Sequence, residues 1–253
     1  MARTARKTAN EESLTVLMAA FSDVHANLHA LQAVLADIRG QSADKVVCLG
    51  DLVGYGAFPN EVIEAVRGAQ IPTIAGNYDD GVGFGREGCG CAYTTAGDRE
   101  RGDRSLCWTQ SVVTAENQAW LRALPRELRF AADGKRVLCL HGSPRRINEY
   151  LYQDRPERSL LRMFEGVDAQ VVLCGHTHLP YQRRIGAVEL INVGSAGKPK
   201  DGDPRAVYAL VAIGPAVRAT FRRVEYDVEA AARAIEGTEL PREFAEALRK
   251  GAC

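Results

Sequence analysis

The sequence predicts an α/β protein with two β-sheets, and three observations carry the prediction. Short continuous apolar runs alternate with segments of helical periodicity over the first two-thirds of the chain. The last third instead sets closely spaced strand-like runs between Gly and Pro turns. A chain of 253 residues, 46% apolar and 25% charged, has the length and composition to bury a sizeable core in one large domain.

The first run, Leu14–Phe21, reads as a strand covered on both faces. Lys45–Leu49, Ile71–Ala75, Arg136–Leu140 and Gln170–Cys174 repeat the pattern. Between the first two, Leu28, Leu31, Val34, Leu35 and Ile38 recur at helical spacing, so a helix is expected over His29–Ile38. Pro59–Arg67 fills the next gap, with Pro59 suited to a first helical turn. Strand alternating with helix implies right-handed crossovers and a mostly parallel sheet. Val188–Val193, Ala206–Ile213 and Ala216–Tyr226 follow, and Gly214-Pro215 marks a hairpin corner; these strands are expected to form a second, antiparallel sheet facing the first. Residues 81–125 are an excursion, glycine-rich and then helical around Leu106, Trp108, Trp120 and Leu121. Two helices, Glu229–Ile235 and Arg242–Arg249, close the chain within about 227–250. Residues 1–13 read as a polar, disordered tail, and 14–253 as a single domain.

Lys+Arg and Asp+Glu both number 32, which argues against nucleic-acid binding driven by bulk charge and leaves only a local basic patch open. No apolar run approaches the ~20 residues of a membrane span, and the N-terminus lacks the uninterrupted apolar stretch expected of a secretory signal. Of the seven cysteines, Cys48, Cys139 and Cys174 sit inside apolar runs as small hydrophobes, and a reducing, cytoplasmic location is expected.

The polar residues fall in a pattern. The five parallel-type runs lead into Asp23-Val-His25, Gly50-Asp51, Gly76-Asn77, His141-Gly142 and Gly175-His176-Thr-His178. Taken singly, each reads as a cap or a turn. Together they deliver two Asp, one Asn and four of the five histidines to the carboxyl ends of the strands, where α/β sheets bind ligands. Imidazole and carboxylate without thiolate suit first-row divalent ions. Seven ligands exceed one tetrahedral ion but suit two ions about 3.5–4 Å apart that share a carboxylate. Manganese is expected, with iron, nickel, cobalt or zinc as alternatives.

In this order the five blocks, spanning Val16 to Ser195, resemble the calcineurin-like metallophosphoesterases. Gly50-Asp-Leu-Val-Gly-Tyr-Gly56, His141-Gly-Ser-Pro-Arg-Arg-Ile-Asn148 and Asn192-Val-Gly-Ser-Ala-Gly-Lys-Pro199 are similar to its small bacterial phosphodiesterase branch. The resemblance implies a four-layer αββα sandwich of two mixed β-sheets flanked by helices. It implies that Asp23, His25 and His178 hold one ion and Asn77, His141 and His176 the other, with Asp51 bridging. It also implies hydrolysis of phosphodiesters, and of some monoesters, by in-line attack of a metal-bridging hydroxide, with Asp51, Asn77 and His141 as the catalytic set. One position departs from the family pattern: Gly76-Asn77 is followed by Tyr78 and Asp79 where the family commonly has a histidine and an acid. With a reference pKa near ~10, tyrosine is poorly tuned to protonate a leaving group at neutral pH, which favours phosphodiesters.

The substrate is expected to be a phosphate-ester small molecule or nucleotide, contacted by Asn77, Tyr78, Arg145 and Arg146. Lys198, Lys200 and Arg205 read as solvated charges, and Cys89-Gly-Cys91 as structural, because zinc sites and redox motifs use wider spacing. A protein phosphatase and a dinucleoside polyphosphate hydrolase would use the same site residues. A non-catalytic, metal-stabilised scaffold has only Tyr78 in its favour. No membrane partner is expected, and a homo-oligomer stays open.

Overall fold

The apolar runs form strands whose alternate side chains enter two different apolar layers, as the two-residue strand period requires. The computed structural model describes residues 15–252; the expected tail and Leu14 lie outside the described residues. In chain order the elements are β1 (Val16–Phe21), α1 (Leu28–Arg39), β2 (Lys45–Cys48), α2 (Pro59–Gly68), α3 (Asn77–Gly83), α4 (Ala96–Val112) and α5 (Ala115–Ala123). They continue with β3 (Glu127–Ala132), β4 (Lys135–Leu140), α6 (Glu157–Met163), β5 (Val171–Cys174), β6 (Tyr181–Ile185) and β7 (Val188–Asn192). Last come β8 (Ala206–Ile213), β9 (Val217–Val224), α7 (Val228–Glu236) and α8 (Glu243–Lys250). Local chemistry sets several helix starts. Asn27 accepts from Ala30 N at 3.1 Å to cap α1, Asp227 caps α7 through Ala230 N at 2.8 Å, and Pro59 opens α2.

The strands make two sheets, ordered β2-β1-β8-β9 and β3-β4-β5-β7-β6. In the first, β1 runs parallel to β2 and antiparallel to β8. In the second, β5 lies parallel to both β4 and β7, and β3 and β6 add antiparallel edges. Met18 and Ala20 of β1 meet Val137, Cys139, Val171 and Leu173 between the sheets, while Ala19 and Phe21 pack outward with Leu31 and Val34 of α1 and Val62 of α2. On the far side, Leu138, Val172 and Leu190 pack under Leu160 and Met163 of α6. The layers are helix, sheet, sheet, helix: the αββα sandwich, with both sheets mixed. Among the described residues no helix is long and apolar enough to cross a membrane.

The expectation of one mostly parallel sheet facing an antiparallel one is corrected. The parallel-type runs are shared between the two sheets, and β7 joins β4 and β5 instead of β8 and β9. An apolar run records that both faces are covered, not which neighbour it pairs with. Ile71–Ala75 is not a strand. Pro72 has no N–H to give, and the segment keeps one parallel bridge, Cys48 to Thr73, with Cys48 N donating to Pro72 O at 2.9 Å and Ile74 N to Cys48 O at 3.1 Å. It still ends at the same rim. The expected helices and the β8–β9 hairpin at Gly214-Pro215 are present.

Candidate metal centre

Loops leaving β1, β2, β4 and β5 converge on one edge of the sandwich and are stitched to one another. Asp23 N donates to Gly50 O at 2.9 Å, His25 N to Asp51 O at 3.0 Å and Gly175 N to His141 O at 3.0 Å. His176 N crosses between the sheets to Asp23 Oδ2 at 3.0 Å. These turns are tight enough to force left-handed backbone on ordinary residues. Among the described residues ten non-glycines have positive φ, and five of them are Asp23, His25, Asp51, His176 and His178. Each such conformation costs on the order of 1 kcal/mol or more and persists where the surroundings over-determine it.

The ring orientations are set from behind. The Nδ1–H of His25 donates to Val53 O at 3.0 Å, that of His141 to Leu49 O at 2.8 Å, and that of His178 to Lys198 O. A carbonyl accepts only from N–H, so in the neutral ring each Nε2 carries the lone pair and faces inward. There the lone pairs meet other acceptors. His25 Nε2 lies 3.2 Å from His178 Nε2, and His178 Nε2 lies 3.2 Å from Asp23 Oδ1. His141 Nε2 lies 3.1 Å from Asn77 Oδ1 and 3.4 Å from Asp51 Oδ2. Asp23 Oδ1 and His176 Nε2 are buried without a hydrogen-bond partner. Acceptors turned on acceptors in a dry pocket repel unless positive charge lies between them.

The donors form two groups of possible metal ligands, Asp23, His25 and His178, and Asp51, His141 and His176, each with its ligand atoms within 4.8 Å of one another. Asp51 Oδ2 stands between the groups, 3.8 Å from His25 Nε2 and 3.4 Å from His141 Nε2. Burial pushes His25 down to about 4, and His176 and His178 down to about 3, so these imidazoles are held in the neutral, ligating form. His141 goes the other way: against burial, the Asp51 carboxylate holds it up to about 10. Buried nitrogen and oxygen donors with inward lone pairs fit hard or borderline divalent ions.

A second layer fixes Asp51. Asp79 accepts from Asp51 N at 2.7 Å, Leu52 N at 2.9 Å and Gly76 N at 2.9 Å, binding the second and third rim loops together. Burial, then the Asp51 charge, raises the Asp79 carboxyl to about 7. Asp51 Oδ1 accepts from Tyr78 N at 2.8 Å. The Tyr78 side chain is fully buried, edge-on to His25 with ring centroids 5.6 Å apart, and its hydroxyl lies 3.3 Å from the Tyr93 hydroxyl and 3.4 Å from Gly102 O in α4.

Above the donors lies a cavity of about 290 Å³. His25, Asp51, His176 and His178 form its floor, and Tyr55, Tyr93, Tyr150, Phe244, Lys198 and Lys200 form much of its wall. Arg145 and Arg146, expected to contact substrate, do not line it. Arg145 is exposed and pairs with Glu149, and Arg146 lies in a separate surface depression with Tyr152 and Arg155. Neither Trp108 nor Trp120 lines it; they pack against α7–α8 and the outer core respectively. Cys91, read from the sequence as structural, has its Sγ accepting from Asn77 Nδ2 at 3.3 Å; Tyr150, stacked on His176 with centroids 3.9 Å apart, had no signal in the sequence. Lys198 and Lys200, read from the sequence as solvated charges, follow β7, a third parallel strand whose carboxyl end reaches the same rim.

Residues 16–214 match the sequence profile of the calcineurin-like phosphoesterase superfamily domain. An uncharacterised protein of Methanocaldococcus jannaschii is 34% identical over 252 residues, which cover 93% of this chain and 98% of the relative. The crystal structure of a metallophosphoesterase from Sphaerobacter thermophilus is similar at 31% identity and a TM-score of 0.74, covering 94% of this chain and 100% of that one. A hypothetical protein from Pyrococcus horikoshii shares the fold at a TM-score of 0.81 and 24% identity, over 94% of this chain and 99% of its own.

Proposed function

Because the chain belongs to the calcineurin-like phosphoesterase superfamily and is a metal-dependent phosphoester hydrolase, we propose that it cleaves phosphodiesters at a pair of divalent ions. In this reading Asp23, His25 and His178 hold one ion and Asn77, His141 and His176 the other. Asp51 joins the two, and manganese is the ion used. The observation that carries the reading is the set of lone pairs facing one another across the rim, with Asp51 Oδ2 between its two halves. Two such ions, when bound, supply a nucleophile from water and Lewis-acid stabilisation of the phosphoryl oxygens.

The chain's own residues do the positioning. Asp79 and the Tyr78 N–H fix the Asp51 carboxylate, and the backbone carbonyls of Val53, Leu49 and Lys198 fix three imidazoles. Preorganised donors of this kind do not have to reorganise during the reaction. Tyr55, Tyr150 and Phe244 give the cavity over the floor aromatic walls. Tyr78, in the place of the usual histidine, lines the cavity, but its hydroxyl is engaged by Tyr93 and Gly102 and so is poorly placed to give a proton to a leaving group. A phosphodiester also brings one negative charge where a monoester brings two, and so asks less of the site. We place the enzyme in the cytoplasm.

The test compares bis(p-nitrophenyl) phosphate with p-nitrophenyl phosphate, adding Mn, Ni and Mg in turn to metal-stripped protein. The expected result is kcat/KM at least about tenfold higher for the diester, a difference of about 1.4 kcal/mol in transition-state stabilisation, with no turnover before metal is added. Equal or better monoester hydrolysis rejects the diester preference, and no hydrolysis with any of the ions rejects the reading as a whole.

A further inference from the structure

Cys91 brings a sulfur into the wall of the cavity over the donors. Its Sγ accepts from Asn77 Nδ2 at 3.3 Å, and with the amide nitrogen anchored there Asn77 Oδ1 faces His141 Nε2 at 3.1 Å. On its other side the same sulfur lies 3.1 Å from Cys89 Sγ, about 1 Å longer than a disulfide bond. Cys89 is buried in the outer core with Tyr78, Val82 and Leu106, and its back is set against α3, where a Cβ on Gly81 would lie 3.6 Å from Cys89 Cβ. One thiol is therefore held by packing, and the other stands at the cavity with a hand on a donor of the metal centre.

The residue between them makes the approach possible. In extended chain, residues two apart are about 7 Å from Cα to Cα, at or beyond the span a disulfide bridges. This is why the single intervening residue argued against a redox pair in the sequence. Gly90 has a φ of +72°, a left-handed conformation that suits glycine, and it turns the short segment so that both sulfurs meet. The turn is clamped from outside: Asn148 Nδ2 donates to Gly90 O at 2.9 Å, and a Cβ on Gly90 would lie 2.3 Å from that nitrogen.

We propose that Cys89 and Cys91 are a modification site, closing to a reversible disulfide that loosens Asn77 and so weakens metal binding beside it. The oxidant is a two-electron acceptor of the peroxide or diazene class. With hydrogen peroxide, one thiol becomes a sulfenic acid with release of one water; the other sulfur then displaces the hydroxyl, which leaves as a second water. Two S–H bonds are exchanged for one S–S bond, and a dithiol reductant returns the two electrons and two protons. Because Cys89 is fixed by its packing, Cys91 does the moving, away from Asn77 Nδ2. The coupling to the metal rests on the two-ion reading of the donors; the disulfide itself does not. Transient, oxidant-sensing disulfides are the kind a reducing compartment allows.

The test treats metal-stripped protein with diamide, a diazene that takes two electrons and two protons from a thiol pair and adds no oxygen to sulfur. Remaining thiols are then blocked with N-ethylmaleimide, and tryptic peptides are weighed. Cleavage after Arg86 and Arg99 gives one peptide, Glu87–Arg99, that carries both cysteines. It is expected to be lighter by two hydrogens and unlabelled after diamide, and doubly labelled after dithiothreitol. Calorimetric titration of the oxidised protein with manganese should show affinity at one ion lowered about tenfold or more, the scale of losing an outer partner of a metal ligand, and dithiothreitol should restore it. Cys89→Ser, which leaves Cys91 beside Asn77, should bind manganese equally before and after diamide. A doubly labelled peptide after diamide overturns the proposal, and needs no variant. Manganese affinity that ignores the disulfide, or that falls as far in Cys89→Ser, overturns the coupling. Hydrolysis of bis(p-nitrophenyl) phosphate by the reduced enzyme, followed separately, reports whether the phosphodiesterase reading stands independently of the thiol pair.

Discussion

Replacing Asp51 by Asn is expected to reduce metal-dependent phosphodiester hydrolysis by at least about 10³-fold, because losing even an outer partner of a metal ligand costs about 10–100-fold. Asp51 is the residue whose Oδ2 stands between the two donor groups, so its loss weakens both at once. Asn is close in shape: its side-chain oxygen still accepts the Tyr78 N–H, and its backbone N–H still reaches Asp79. It also removes a negative charge from beside the buried Asp79, whose carboxyl Asp51 helps to push up. The fold should therefore survive, with a wild-type circular dichroism spectrum and a metal-free melting temperature near that of the parent. The wild type should gain melting temperature on adding manganese, and the variant should gain much less. Full activity of Asp51→Asn in metal-replete buffer would sink the assignment of Asp51 as the shared ligand.

Gly76→Ala should damage the centre through one methyl group. The Gly76 backbone, at φ −87 and ψ 175, is open to any residue, so the cost comes from contact. A Cβ there would lie 2.1 Å from Asp51 Oδ1 and 2.2 Å from Asp51 N. Something must shift, and what stands nearest is the backbone and carboxylate of Asp51, held in turn by Asp79. Overpacking of this kind costs about 1–3 kcal/mol, or several degrees in melting temperature for a chain of this size. Moving Asp51 should also weaken manganese binding by about 10–100-fold. The matching control is Gly68→Ala at the end of α2, where a Cβ meets nothing within 4 Å; that change should be neutral or slightly stabilising. Thermal unfolding with a manganese titration by calorimetry separates the two variants. If Gly76→Ala melts and binds as the parent does, the close packing of the two rim loops is not what fixes Asp51.

The convergence of the donors was legible in the sequence because strand ends carry it. An apolar run followed at once by Asp, Asn or His marks a carboxyl edge whichever sheet the strand joins, so Asp23, Asp51, Asn77, His141, His176 and His178 could be placed together before any pairing was known. The pairing itself was not legible. β1 exposes Ala19 and Phe21 to one layer and Met18 and Ala20 to the other, and nothing in that alternation names β8 as a neighbour. Edge strands were harder still. β6 reads Tyr-Gln-Arg-Arg-Ile, and β3 alternates exposed and half-buried positions, which suits strands at the border of a sheet but weakens an apolar pattern.

The misplacement of β7 had a chemical consequence. Counted with an antiparallel sheet, its following loop had no reason to reach the rim, and Lys198 and Lys200 read as solvated charges. Parallel to β5, it delivers them to the cavity. Arg145 lies off the cavity for a local reason: Glu149, four residues on, captures its guanidinium. The backbone carbonyls that set the imidazole tautomers belong to Val53, Leu49 and Lys198, and no side-chain pattern can announce them.

The most direct measurement is an anomalous difference map from crystals soaked in manganese, recorded on the high-energy side of the manganese absorption edge. Two peaks about 3.5–4 Å apart are expected, one within ligand distance of Asp23, His25 and His178 and the other of Asn77, His141 and His176, with the Asp51 carboxylate reaching both. A single peak, or peaks beyond the reach of Asp51, would contradict the account.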